Sequence, residues 1–225
     1  MLNQLRYEKK FITNLTEQEV EQIIKNNLGM FSEIFHKRQI NNIYLDTINK
    51  KSFYENIDGI NKRFKMRIRW YGNRFGSINN PTLEIKTKIN ELGGKLSFKI
   101  KPFNLSKKFD FKELINSIKD SELPDSIMEK IKNMEPSLLN SYIRKYFISS
   151  DKKSRITIDT NLEYFRITKL RISPIKFFDN KIIIELKYKK EDDSEIIRIT
   201  NDLPFRLYKN SKYINGCYLI NYSTI

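Results

Sequence analysis

The chain of 225 residues carries 42 lysines and arginines against 27 acids, a formal charge of +15. Its hydrophobic share of 39% and aromatic share of 12% are enough for a packed core, and the surplus charge calls for an anionic partner: nucleic acid, a phosphate-rich molecule or polymer, or an acidic membrane surface. A single cysteine, Cys217, excludes an internal disulfide and a cysteine-built zinc site, while the lack of a basic leader or of any run near the ~20 apolar residues of a membrane span predicts a cytoplasmic protein.

Residues 16–28 set Val20, Ile23, Ile24 and Leu28 at helical spacing behind an acidic first turn, with Thr16 as N-cap and Gly29 near the stop. A short strand is expected at 42–47, then a turn or strand end at 54–59. Lys62–Tyr71 is the clearest strand, because Phe64, Met66, Ile68 and Trp70 alternate with Arg63, Lys65, Arg67 and Arg69. One face is apolar and the other purely cationic. A Gly- and Asn-rich hairpin connection at 72–81 leads to a strand at 82–88, in which Leu83 and Ile85 alternate with Glu84, Lys86 and Lys88. Gly93 and Gly94 read as the next turn, and after them Leu96, Phe98 and Ile100 alternate with Lys95, Ser97, Lys99 and Lys101.

Residues of about 107–135 form a charged helical insertion, in two pieces broken at Pro124. Strands resume at 138–148, 155–160 and 182–189, and a polar turn at 190–194 precedes 195–200, which groups with the strands. No linker divides the chain, so one domain over 1–225 is expected: an α+β fold on a large antiparallel sheet or barrel.

The phrase Glu-x-Lys recurs in strand-like segments at Glu8/Lys10, Glu84/Lys86 and Glu185/Lys187. Residues two apart in a strand share a face, so each phrase sets an acid beside a base on one surface. Several neighbouring strands carry Arg or Lys at nearly every second position. Like charges directly opposite one another destabilise a sheet, so a concave or closed cationic surface around an anion is the economical arrangement. Guanidinium forks and compact ammonium groups at Arg67, Arg69, Lys86, Lys99 and Arg155 suit a run of phosphates. A divalent cation arriving on a triphosphate needs only one or two protein carboxylates, and Glu185, inside an apolar and basic strand, is the first choice. Aromatic and basic residues segregate to opposite faces, which argues against nucleic acid. Lone His36 reads as a surface residue, Cys217 as a core thiol, Trp70 and Tyr71 as packing, and Gly93-Gly94-Lys95 lacks the spacing of a P-loop.

Six pieces in order, Asn41-Asn-Ile-Tyr-Leu-Asp46, Met66-Arg-Ile-Arg-Trp-Tyr-Gly72, Glu84-Ile-Lys86, Arg155-Ile-Thr-Ile-Asp159, Ile184-Glu-Leu-Lys187 and Tyr208-Lys-Asn-Ser-Lys-Tyr213, make the chain resemble the vacuolar transporter chaperone (VTC) domain. That domain is one of the triphosphate tunnel metalloenzymes, related to the CYTH enzymes. The resemblance implies a closed antiparallel barrel of eight strands forming a tunnel open at both ends. It implies a polyphosphate polymerase that moves the terminal phosphate of ATP onto a growing inorganic polyphosphate chain with Mn2+ or Mg2+, and a membrane protein as receiver of the product.

Family phosphate-binding positions fall on Lys10, Arg67, Arg69, Lys86, Arg144, Arg155, Lys209 and Lys212, with Lys187 as a further tunnel base and Glu185 as the metal ligand. One further base falls on Lys99 or Lys95, and Asn140 competes with Arg144. Family hydrolases carry Glu-x-Glu-x-Lys on the first strand. Here Arg6-x-Glu8-x-Lys10 replaces the first acid by a base, which favours transfer over a tunnel triphosphatase; a non-catalytic polyphosphate-binding module is the remaining alternative.

Overall fold

A computed structural model describes residues 6–89, 92–108, 110–168 and 171–222. Strand β1 (Arg6–Thr13) leads into α1 (Glu17–Lys25), whose start is fixed by a capping box. The Glu19 amide donates to Thr16 Oγ1 at 3.3 Å, and the Thr16 amide donates to the Glu19 carboxylate at 2.7 Å. Strands β2 (Ser32–Asp46) and β3 (Lys62–Tyr71) flank α2 (Lys51–Ile57). Next come β4 (Gly76–Ile78), β5 (Thr82–Ile89), β6 (Leu92–Lys99) and β7 (Phe103–Leu105), and then α3 (Phe111–Lys119) and α4 (Asp125–Lys132) on either side of Pro124. Long strands β8 (Glu135–Ile148) and β9 (Arg155–Ile167) precede β10 (Ile172–Asp179) and β11 (Ile182–Lys189). The described chain ends with α5 (Asp193–Asn201), β12 (Arg206–Leu207) and α6 (Lys212–Tyr222).

The main sheet runs β10-β9-β11-β1-β6-β5-β3-β2-β8, and β8 also pairs with β9. That second pairing closes a ring of eight antiparallel strands, β9-β11-β1-β6-β5-β3-β2-β8, with β10 beside the far half of β9 and β12 beside β1. Closure removes the exposed edges that an open sheet of this size would leave.

Register assigns the faces. Arg67 stands opposite Glu84 and Tyr44, Arg69 opposite Asn42, Arg144 opposite Asp159, Glu185 opposite Lys10 and Thr157, and Lys187 opposite Glu8 and Arg155. These residues therefore line one side of the ring, the inside. The outer face of β3 and β5 packs Met66, Ile68, Leu83 and Ile85 with Leu114, Ile118, Ile127 and Ile131 of α3 and α4. A second outer cluster sets Ile156, Ile158, Ile184 and Leu186 against Val20 and Ile24 of α1 and Ile196 and Ile199 of α5.

The third cluster lies at one end of the ring. There Tyr213, Ile214, Cys217 and Ile220 pack with Ile40, Tyr44, Leu138, Tyr142 and Ile183. Those partners share the inner face, so α6 packs against that face. Close approach is built in at Gly216, where a Cβ would meet Leu138 Cδ2 at 2.6 Å.

Four local expectations are corrected. Residues 54–59 belong largely to α2, which begins where the Ser52 and Phe53 amides donate to the Asp46 carboxylate at 2.9 and 3.0 Å. The 72–81 connection contains β4, paired with β7. Gly93 and Gly94 lie inside β6, opposite Lys88 and Thr87; the turn itself falls outside the described residues. Residues 195–200 are helical, in α5. Beyond these, β2, β8 and β9 are longer than their alternation indicates, and β10 is additional. No helix among the described residues is long and apolar enough to cross a membrane.

Candidate functional site

Strand alternation turns the sequence pattern into a cationic interior. On β3, Met66, Ile68 and Trp70 are buried in the outer core, and the intervening Lys65, Arg67 and Arg69 therefore face inward. Opposite them on β5 stands Glu84, 4% exposed. Both Nε and Nη2 of Arg67 donate to one Glu84 oxygen at 2.9 and 2.7 Å, while Lys95 and Arg69 reach the other at 3.0 and 3.6 Å. Burial opposes charge on Glu84, but Arg67, Arg69 and Lys95 outweigh it and hold the carboxyl far below the usual range. Arg69 is also aimed from behind: its Nε donates to Asn42 Oδ1 at 3.0 Å and its Nη2 to the Tyr142 hydroxyl at 3.2 Å.

A second cluster gathers where β1, β8, β9 and β11 meet the first turn of α6. Glu185 is approached by Lys187 at 3.1 Å, Arg144 at 3.2 Å, Lys212 at 3.3 Å and Lys10 at 3.7 Å. Asp159, fully buried, takes Arg144 Nε at 2.5 Å and Lys212 Nζ at 2.5 Å. Glu8 takes Lys86 at 2.9 Å and Lys10 at 3.0 Å. Burial works against ionisation of Glu185, yet Lys212, Lys187, Arg144 and Lys10 together hold its carboxyl well below the ordinary range. Burial likewise opposes the Lys212 ammonium, and Asp159 and Glu185 reverse it.

The inward set thus unites Lys10, Arg67, Arg69, Lys86, Arg144, Lys187, Lys212 and Glu185. Of the other expected residues, Arg155 and Lys99 share this face and Lys209 precedes α6. Arg155 stands opposite Lys187 on the same face but is exposed, and Lys99 stands opposite Thr82, also exposed. Lys95, four residues before Lys99 on the same face of β6, is the one that reaches Glu84. Lys209 is exposed in the segment before α6, so it shares no helical face with Lys212. Asn140 and Arg144 both face inward, but Asn140 pairs with Asn42 and only Arg144 meets carboxylates.

Sequence reasoning missed Lys65 and Asp159 as members of the site. The signal for Lys65 was its period-two relation to Arg67; for Asp159 it was an acid in a run otherwise of Ile and Thr.

Among the described residues no group of three His, Cys, Asp or Glu could hold a metal ion. The donor set nevertheless fits a hard divalent ion that arrives with phosphate oxygens of its own. Glu185 supplies a carboxylate, and directly opposite it Thr157 Oγ1 is buried with no hydrogen-bond partner. The buried Asn140 Nδ2 likewise has none, which leaves a donor free for an anion.

Comparisons with known proteins agree with this geometry. A protein of Pyrococcus furiosus superposes with a TM-score of 0.53 at 11% identity, over 94% of this chain and 99% of that one. A protein of Pyrococcus horikoshii superposes at 0.51 and 14% identity, over 96% and 99% of the two chains. A candidate adenylate cyclase of Vibrio parahaemolyticus gives 0.50 at 11% identity, over 92% and 95%. At these identities the likeness concerns the fold alone, the closed antiparallel ring described above. A search of the curated proteins returned no match. The family model described as the VTC domain matches residues 5–221, nearly the whole chain, and the protein belongs to the VTC domain family.

Proposed function

We propose that the protein is a metal-dependent polyphosphate polymerase, which transfers the terminal phosphate of ATP to a growing inorganic polyphosphate chain inside the ring. The observation that carries this reading is the inner wall itself: cations from β1, β3, β5, β8, β11 and α6 converge on Glu8, Glu84, Asp159 and Glu185. Such a surface is matched to a string of phosphates rather than to one.

Phosphoryl transfer passes through a loose transition state with charge spread over the phosphate oxygens, so alignment and neutralisation supply most of the catalysis. Arg67 and Arg69, braced by Glu84, Asn42 and Tyr142, present fixed donors to one stretch of phosphate. Lys10, Arg144, Lys187 and Lys212 present a second set around Glu185. Arg155 and Lys99, exposed on the same face, and Lys209 before α6 extend the cationic path outward. A divalent ion, Mn2+ or Mg2+, would be held by Glu185 and would polarise phosphate oxygens while offsetting their charge. The polyphosphate end is already an anionic nucleophile, so no histidine is required.

The second reading is a tunnel triphosphatase. Against it stands Arg6, opposite Lys189 and Gly93 on β1, which leaves Glu8 as the only acid of that strand. Purified protein incubated with ATP and manganese is expected to lengthen an acid-labile phosphate polymer. Free phosphate without polymer would replace the polymerase by the hydrolase, and neither product would leave a polyphosphate-binding module.

A further inference from the structure

Three lysines stand abreast on the inner wall. Lys65 of β3 is directly opposite Lys86 of β5, and Lys86 is directly opposite Lys95 of β6. Like charges in cross-strand register destabilise a sheet, so each needs a counter-charge. Lys86 has Glu8 at 2.9 Å and Lys95 has Glu84 at 3.0 Å. Lys65 has neither: among the described residues no carboxylate lies within ion-pair distance, and its Nζ donates to Ser211 Oγ at 2.8 Å. Ser211 sits just before α6, where its carbonyl accepts from the Asn215 amide at 2.9 Å and its Oγ from the Ile214 amide at 3.4 Å. Its hydroxyl proton is therefore free to be donated.

We propose that Lys65, with Lys86 and the Ser211 hydroxyl, forms an anion subsite whose missing negative partner is a phosphate group of the ligand itself. The subsite rests on the tunnel reading above and deepens it, because it marks one point on the wall where charge balance is left to the substrate. The surroundings support this. Facing Lys65 are Arg63 and Arg67 of its own strand, Lys86 of β5 and Lys10 of β1, while Asp46, at the end of β2, is engaged by the Ser52 and Phe53 amides and the Tyr213 hydroxyl. Burial first, and then these cations, push the Lys65 ammonium down to about 6. Without ligand the side chain is consequently neutral over the window between about 6 and its ordinary 10.5. A phosphate seated beside it favours the charged form, so binding takes up a proton in that window and affinity falls as pH rises through it.

The test is calorimetric titration of inorganic tripolyphosphate into the full chain near pH 7.5, without divalent ion, in two buffers of different ionisation enthalpy. Wild type is compared with Lys65→Met and Lys65→Arg, alongside the thermal midpoint of each. Lys65→Met is expected to weaken binding roughly tenfold and to remove about one proton of uptake. Its unliganded midpoint should stay the same or rise, because a half-buried amine with no carboxylate partner is gone; a merely structural lysine would lower it. Lys65→Arg, charged throughout, should restore affinity without restoring the uptake. Wild-type affinity and uptake in Lys65→Met would overturn the subsite while leaving the tunnel reading intact. Failure of wild type to bind tripolyphosphate would remove the tunnel reading and the subsite with it.

Discussion

Glu84 and Glu185 sit on the same inner wall in the same Glu-x-Lys phrase, yet they are built for different work. Glu84 is clamped: Arg67 holds one oxygen through two nitrogens, and the pair lies on adjacent strands in direct register. Glu185 is shared: four cations from four different elements approach it at 3.1 to 3.7 Å, and its partner Arg144 is also committed to Asp159. A clamped acid fixes the direction of an arginine. A shared acid is held by groups that have other things to bind, so it is the one an incoming polyanion can free.

The sharpest way to break this contrast is to neutralise each acid in turn. Glu185→Gln is expected to lower metal-dependent turnover by at least about 100-fold with the fold retained. Glu84→Gln, which loosens the Arg67 fork and weakens the contacts with Lys95 and Arg69, should lower it roughly tenfold. Steady-state kcat with circular dichroism on both variants checks this, and equal losses would erase the distinction. Next in size is the support beneath Glu185. Asp159→Asn leaves Arg144 and Lys212 short of a buried counter-charge and should cost about 3 kcal/mol of stability in urea unfolding. A loss under about 1 kcal/mol would mean that Glu185 alone suffices for both cations.

The acid limb of stability reports on the clamp. Glu84 is held far below its ordinary 4.5 by its three cations. A depressed carboxyl contributes stability in full above its unfolded value and loses it as pH falls toward its folded one. Wild type should therefore lose stability on acidification below about pH 4.5, and Glu84→Gln should show a shallower fall over the same range. Parallel urea-unfolding curves against pH in the two proteins would place the clamp's contribution elsewhere.

How far the sequence could be read follows the same division between local and shared. Strand β3 was legible to its ends because each residue answers only to the core on one side and the cavity on the other. Helix α2 was not, since Lys50 offers no side-chain cap and the first amides are taken by Asp46, several residues back on β2. In α5, the run Ile196-Ile-Arg-Ile-Thr200 has the β-branched composition of a strand. It is helical because Ile196 and Ile199, one turn apart, bury against Ile156, Ile184 and their neighbours on the barrel wall. The site divides likewise. Arg67 and Arg69 are visible in the alternation, whereas the Lys212 contact with Asp159 joins residues 53 positions apart in the chain, and no local pattern announces it.

The smallest effect concerns the helix that brings Lys212 to the shared cluster. Gly216 lies one turn after Lys212, where α6 passes over Leu138 and Tyr164, and a methyl group there would overlap both side chains. Gly216→Ala should raise helical propensity and still lose about 2 kcal/mol, because overpacking against a closed barrel outweighs the propensity gain. The helix would be lifted at its first turns, so Lys212 would move from Asp159 and Glu185 while Arg67 and Glu84 keep their places. Tripolyphosphate affinity is expected to fall only a few-fold, since the other cations remain. A lower melting midpoint with unchanged affinity would show that Lys212 tolerates the shift, and that the shared cluster is looser than the clamped one by more than its distances suggest.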